Sequence, residues 1–119
     1  MIELTSFQET AARLFGLALD RRQVEAFAWY AEALMEWNRR VNLTAVDDPA
    51  GIETKHFLDS LSCLRGMGRR PRGRLADVGS GAGFPGIPLK IAVPELDITL
   101  VEATGKKAEF CRHVVQGLD

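Results

Sequence analysis

The chain has 119 residues, 46% hydrophobic and 26% charged, with a net charge of −1. That is about one globular domain with no overall bias toward polyanions. No run approaches the ~18 consecutive apolar residues of a membrane span, and the N-terminus lacks the basic start and apolar core of a secretory leader, so a cytoplasmic protein with no membrane partner is expected.

Residues 1–64 read as helical. Ser6-Phe7-Gln8-Glu9 has capping-box spacing, in which hydroxyl and carboxylate each reach a free backbone donor. Phe7, Ala11, Leu14, Phe15 and Ala18 follow with a period near 3.6. Asp20-Arg21-Arg22-Gln23 repeats the start signal. It opens a helix of about 20 residues carrying Val24, Phe27, Ala28, Ala31, Leu34, Met35 and Val41, ended by Asn42-Leu43-Thr44. Asp48-Pro49 opens a third helix, with the acid as N-cap and proline where its missing N–H costs nothing. Ile52, Phe57, Leu58, Leu61 and Leu64 supply its apolar face, and Lys55 and Asp59 form an i,i+4 pair. Cys63 and Cys111 lie 48 positions apart in apolar contexts. They fit no zinc spacing and read as a reduced cytosolic pair, so no metal is expected.

Residues 65–73 form a Gly/Arg/Pro linker. Arg65, Arg69, Arg70, Arg72 and Arg74 place five positive charges and no negative one in ten residues. The pattern then changes period. Leu75–Val78 reads as a strand, 85–93 as a proline-started helix stopped by Pro94, and Asp97–Val101 as a second strand ending at Glu102. Residues 105–116 read as a helix with Ala108, Phe110, Cys111, Val114 and Val115. This β-α-β-α order opens a doubly wound parallel sheet. Two strands do not complete such a sheet, whose faces both need cover, so the chain is expected to be the front part of a longer protein.

Between the first strand and its helix stands Asp77-Val78-Gly79-Ser80-Gly81-Ala82-Gly83-Phe84-Pro85-Gly86. Three glycines at alternate positions give a sharp turn that lets a ligand come close. The run contains G-x-G-x-x-G, the dinucleotide fingerprint, which is weak by itself. Asp77 suits an ammonium better than a pyrophosphate, and Pro85 and Pro88 remove donors that would hold phosphate. Both features favour S-adenosylmethionine. The plain alternative is a tight turn with no ligand. Glu102, 21 residues after Gly81, is placed to accept ribose hydroxyls or is a solvated strand-end carboxylate.

Two polar clusters interrupt the helical half: Trp37-Asn38-Arg39-Arg40-Val41-Asn42-Leu43-Thr44 and Lys55-His56-Phe57-Leu58-Asp59-Ser60. Trp37 reads equally as core packing, Arg39 and Arg40 as a solvated helix end favoured by the macrodipole, and His56 as a structural residue. His113 reads as surface or packing. The arginine run is a solubilising linker or a set of phosphate contacts.

With the glycine run extended through Ile87-Pro88-Leu89, these three segments in this order resemble the bacterial small-subunit ribosomal RNA guanine-N7 methyltransferase family, also called glucose-inhibited division protein B. The likeness covers the chain from about residue 24 onward. It implies an α/β fold, with an N-terminal helical cap (1–64), the linker (65–73), and the first β-α-β-α units of a class I Rossmann-like methyltransferase domain (74–119, an incomplete sheet). It also implies S-adenosylmethionine as cofactor, and 16S ribosomal RNA or the small ribosomal subunit as the partner of a monomer. The reaction would be direct in-line methyl transfer to guanine N7, with no catalytic residue assigned. By resemblance Gly79 and Phe84 line the cofactor site, Asp77, Gly81 and Gly83 shape it, and Glu102 takes the ribose position; Ser80, within the same run, is a further candidate cofactor-binding residue. Asn38, Arg39, Lys55, His56, Arg69 and Arg70 are the candidate RNA contacts, with Lys55 standing where the family usually has arginine. Family members are about twice as long, so a catalytically incomplete fragment with only residual cofactor or RNA binding is the alternative. A nicotinamide-dependent oxidoreductase is the more distant one.

Overall fold

A helix starts where its free backbone donors are met and stops where the backbone can leave it. The computed structural model describes residues 2–67 and 72–118. Its first helix, α1 (Thr5–Phe15), starts with no side-chain cap. The capping box expected at Ser6–Glu9 does not form, because Ser6 already lies inside the first turn. Gln8 instead donates to the Leu19 carbonyl (2.9 Å). α1 ends at Gly16, whose φ of 67° turns the chain out of the helix. Leu14, still within α1, and Ala18, beyond its end, are at the surface, while Leu4 and Leu19 enter the core beside Phe7 and Ala11.

The second start signal forms as read. Asp20 Oδ1 accepts the Gln23 amide (2.9 Å) and Gln23 Oε1 accepts the Asp20 amide (2.8 Å), opening α2 (Arg21–Asn38). Gln23 has a second task. Its Nε2 donates to the carbonyls of Ile91 and Ala92 (3.0 and 3.2 Å) at the end of a later helix, so one side chain starts one helix and finishes another. α2 buries Phe27, Ala28, Tyr30, Ala31 and Leu34. It ends at Asn38, short of the expected stop, because Asn38 Oδ1 gathers the amides of Leu43 and Thr44 (2.9 and 3.0 Å) and curls the chain back.

Asp48 caps the third helical run, α3 (49–66), by accepting the Gly51 amide (3.1 Å). The middle of α3 (Ile52–Leu58) is wound as a π-helix and its end (Ser62–Gly66) as a 3₁₀-helix. A wide π turn moves facing residues off four-residue spacing. The expected Lys55–Asp59 pair is accordingly not among the ion pairs formed by described residues. Ile52, Phe57, Leu61 and Leu64 are buried as read, and Ser60 joins them.

Strand β1 (Gly73–Val78), helix α4 (Gly86–Ala92), strand β2 (Leu96–Val101) and helix α5 (Gly105–Leu118) follow. β1 and β2 pair in parallel from Gly73↔Leu96 to Val78↔Val101. This is the expected α/β order, helices then β-α-β-α, with a two-stranded parallel sheet as the opening of a Rossmann-like fold. One sheet face turns Leu75, Asp77, Leu96, Ile98 and Leu100 inward. The other, with Arg74, Ala76, Val78, Asp97, Thr99 and Val101, is exposed. Lys90 secures the exit from α4 by donating to the Pro94 and Leu96 carbonyls (both 2.6 Å). In α5, Phe110, Cys111 and Val114 are buried, whereas Val115 is 47% exposed.

A single core joins the helices to the sheet units. Phe7, Phe27 and Phe57 form an aromatic centre with ring separations of 4.8 to 5.7 Å. Leu89, Leu96, Phe110 and Val114 belong to the same cluster. Among the described residues, no helix is long and apolar enough to cross a membrane. Asp20→Ala is expected to lower the unfolding free energy by about 1 kcal/mol in chemical denaturation, and Ser6→Ala to stay within about 0.5 kcal/mol of wild type.

Candidate functional site

β1 and β2 end side by side, and the chain must reverse within the seven residues 79–85 to enter α4. The turn begins by capping the neighbouring strand: the amides of Gly79 and Ser80 both donate to the Val101 carbonyl (2.7 and 3.2 Å). It then closes on itself. The Ser80 carbonyl accepts the Gly83 and Phe84 amides (2.9 and 3.0 Å), and the Ser80 hydroxyl donates back to the Asp77 carbonyl (2.8 Å). Asp77 Oδ2 accepts the Gly86 amide from beneath (3.0 Å). Glu102 braces the far side, taking the Gly81 amide on Oε1 (2.7 Å) and the Thr104 amide on Oε2 (2.8 Å). Those two amides hold its carboxyl below the usual range, so it is ionised.

Gly79, Gly81 and Gly83 all have positive φ (75°, 59° and 102°), a region that favours glycine. Their missing side chains serve different ends. A Cβ on Gly79 or Gly81 would meet nothing within 4 Å, so both border open space at the carboxyl ends of the strands. A Cβ on Gly83 would strike Ile87 and the Tyr30 hydroxyl (2.7 Å), and one on Gly86 would strike Leu100 and the Asp77 carboxylate (2.9 Å). Those two glycines let elements pack. The turn therefore has a packed side toward the core and an open bay beside Gly79, Gly81 and Glu102.

The sequence profile of the GidB family, described as rRNA small subunit methyltransferase G, matches residues 23–119. The chain belongs to this family. A ribosomal RNA small subunit methyltransferase G from Roseiflexus sp. (strain RS-1) is 57% identical over 108 residues, 91% of this chain and 46% of that protein. Its namesake from Xylella fastidiosa (strain M23) is 51% identical over 102 residues (86% and 47%). The one from Alkaliphilus metalliredigens (strain QYMF) is 45% identical over 103 residues (87% and 43%). The chain spans about half the length of these curated relatives.

In this member of the methyltransferase G family, Asp77 and Ser80 are buried and their side chains hold the turn's own backbone. Phe84 is half-buried, stacked on His56 (4.3 Å, 7° between planes) and on Tyr30 (5.5 Å, 28°). Among the candidate RNA contacts, Arg39 is exposed and pairs with Glu36 (3.3 Å), and Lys55 is exposed. Asn38 and His56 are engaged internally, Asn38 with the Leu43 and Thr44 amides and His56 with Phe84 and, through Nε2, with Thr44 Oγ1 (2.9 Å). Arg69 and Arg70 lie outside the described residues. The structure thus joins His56 to the glycine turn and Asn38 to His56 through Thr44.

Two residues at the site escaped the sequence reading. The Tyr30 hydroxyl, fully buried, donates to the Ala82 carbonyl (2.6 Å). A phenol on the apolar stripe of α2 was the available signal, because a buried hydroxyl needs a partner. Cys111 donates its thiol hydrogen to the Gly81 carbonyl (3.3 Å), and burial pushes its pKa up to about 11, keeping it a thiol. A separate cavity of about 540 Å³, lined by Gln23, Ile87, Lys90, Ile98 and Leu118 among others, lies between α2, α4, β2 and α5, away from the open bay. Among the described residues no group of three or more His, Cys, Asp or Glu is placed to hold a metal ion.

Gly83→Ala is expected to cost about 3 kcal/mol, overpacking added to left-handed strain, and Gly79→Ala only about 1–2 kcal/mol. Equal costs in denaturant titrations would contradict the two-sided description of the turn. Burial lowers the His56 pKa from the ordinary 6.5, with the Asp59 carboxylate opposing. The unfolded chain therefore binds the proton first on acidification. Relative to His56→Phe, the wild type should lose stability as pH falls through 6.5 toward the lowered value, measured by thermal unfolding across that range.

Proposed function

We propose that this chain carries the methyl-donor loop of an enzyme that methylates guanine N7 in 16S ribosomal RNA, with S-adenosylmethionine as donor. The observation supporting this reading is the open bay at Gly79 and Gly81, bordered by an ionised carboxylate and lacking any free phosphate-holding amide at the start of α4. Pro85 and Pro88 have no N–H, the Gly86 amide is taken by Asp77, and the Ile87 amide is taken by the Gly83 carbonyl (2.8 Å). A pyrophosphate at a helix start needs such amides. A donor without phosphate does not, which counts against the dinucleotide reading of G-x-G-x-x-G. The residues present fit S-adenosylmethionine: Gly79 and Gly81 admit it, Glu102 has lone pairs left to accept ribose hydroxyls, and Asp77, Ser80, Gly83 and Phe84 keep the loop in shape.

When bound, S-adenosylmethionine supplies a sulfonium methyl open to direct in-line displacement. A guanine N7 bears an in-plane lone pair and no proton, so no side chain need remove one first, and orientation supplies the rate. In this reading residues 1–64 cap the donor-binding unit (74–119) across the 65–73 linker. Arg39 and Lys55, with Arg69 and Arg70, meet RNA phosphates. The enzyme acts in the cytoplasm as a monomer on 16S ribosomal RNA or the small ribosomal subunit, without a metal.

Calorimetry should show S-adenosylhomocysteine binding to the chain and NADH not binding, with Glu102→Ala weakening the former at least tenfold. NADH binding, or no S-adenosylhomocysteine binding, would overturn the assignment. The exposed sheet face and the half-length match to relatives favour a second reading, in which this chain binds donor without turnover. Incorporation of labelled methyl into 16S ribosomal RNA distinguishes the two.

A further inference from the structure

The glycine turn is held from outside by groups for which methyl transfer has no chemical use. Phe84 closes the turn, since its amide, like that of Gly83, bonds the Ser80 carbonyl (3.0 and 2.9 Å). Its ring lies nearly parallel to the His56 imidazole, 4.3 Å away at 7°. An imidazole on a phenyl ring slides and tilts unless something else fixes it. Here something does: Nε2 is hydrogen-bonded to Thr44 Oγ1 (2.9 Å). Thr44 is itself fixed, with its hydroxyl oxygen accepting the Val46 amide (3.2 Å) and its own amide held by Asn38 Oδ1 (3.0 Å). Asn38 is the last residue of α2. One line of contacts, Asn38–Thr44–His56–Phe84, therefore runs from the end of α2 into the turn.

A second observation points the same way. His56 sits in the π-helical stretch of α3 (Ile52–Leu58). A π turn re-aims side chains relative to a regular helix, at a cost in backbone geometry that recurs at functional places. This stretch presents Phe57 to the aromatic core and His56 to Phe84 and Thr44.

We propose that His56 is a positioning residue for the methyl-donor loop: oriented by Thr44, its ring sets the Phe84 ring and through it the turn from Ser80 to Phe84. The proposal rests on the reading of that turn as the donor loop. It assigns His56 and Asn38 an inward role in place of contact with RNA, with Thr44 between them. Burial favours the neutral imidazole, the form that stacks on a phenyl ring without carrying a charge out of water.

The test compares the intact chain with Thr44→Val, His56→Phe, His56→Ala and the double variant Thr44→Val/His56→Phe. Amide hydrogen exchange at Gly83 and Phe84 is read by NMR, and S-adenosylhomocysteine affinity by calorimetry. Thr44→Val and His56→Phe each remove the tether and keep a stacked ring or its partner. Each should speed exchange at the two amides three- to tenfold and weaken S-adenosylhomocysteine by a similar factor. The double variant should match Thr44→Val, because the Thr44–His56 bond that His56→Phe removes is already absent from it. His56→Ala should exceed tenfold. The core amides of Phe27 and Leu34 should be unchanged in Thr44→Val, which separates positioning from general loss of stability. Unchanged exchange at Gly83 and Phe84 in Thr44→Val and His56→Ala, or additive effects in the double variant, would overturn the proposal. If the wild type fails to bind S-adenosylhomocysteine, the donor-loop reading falls, and exchange alone still decides whether His56 sets the turn.

Discussion

The constraint on which the rest of this structure depends is a backbone reversal at the end of β1 that must leave no side chain on one side while the amides of Gly79, Ser80, Gly81, Gly83, Phe84 and Gly86 find acceptors on the other. Gly79 and Gly81 meet the first condition. The second is met by an enclosing set of acceptors: the Val101 carbonyl, the Ser80 carbonyl, and the carboxylates of Asp77 and Glu102. Two of those partners, Asp77 and Val101, are themselves fixed by the parallel register, which sets Asp77 opposite Leu100 and Val78 opposite Val101. The turn is thus a consequence of sheet register as much as of glycine content. A one-residue slip would turn Asp77 away from Gly86, because side chains alternate faces along a strand.

The helical half and the turn are one packing problem. Tyr30 shows this most directly: its ring stacks on Phe57 and Phe84, and its hydroxyl reaches the Ala82 carbonyl. A buried phenol whose oxygen found no partner would cost on the order of 1–3 kcal/mol, so α2 cannot pack here unless the turn presents that carbonyl. The absence of a Cβ on Gly83 makes room for the same hydroxyl. The shape of the turn and the packing of α2 therefore constrain each other through a single oxygen atom. Cys111 adds a weaker tie from α5 to Gly81, on the other flank.

Features governed by neighbours in sequence were legible before the structure, and those governed by distant partners were not. Asp20–Gln23 and Asp48–Pro49 form caps as read, because each needs only residues within one turn. Ser6–Glu9 has the same letters and fails, because the chain is already helical at Thr5. The π-helical stretch left a trace that the reading passed over: Ile52 and Phe57, both fully buried, are five apart, a spacing that a regular helix does not place on one face. Gly79 and Gly83 look alike in sequence. Only Ile87 and the hydroxyl of Tyr30 distinguish the packed glycine from the open one. Likewise the polarity of Asn38 and His56 suggested contact with RNA, whereas they are engaged by Thr44 and Phe84 through contacts that no local pattern encodes.

Within this chain, which spans about half the length of its curated relatives, one sheet face beside the turn is uncovered. Parallel sheets ordinarily bury both faces, yet Val78 and Val101, directly opposite each other where the strands reach the turn, are 78% and 47% exposed. That face lends little packing to the strand ends. Within this chain the loop is held by the Val101 and Ser80 carbonyls, by Tyr30, Cys111 and the Phe84 stack, and by the carboxylates of Asp77 and Glu102. A loop beside an uncovered sheet face responds to small changes in those contacts more than a loop wedged between two layers. The residues of α2 and α3 that touch it accordingly weigh more on its shape than their distance in sequence suggests.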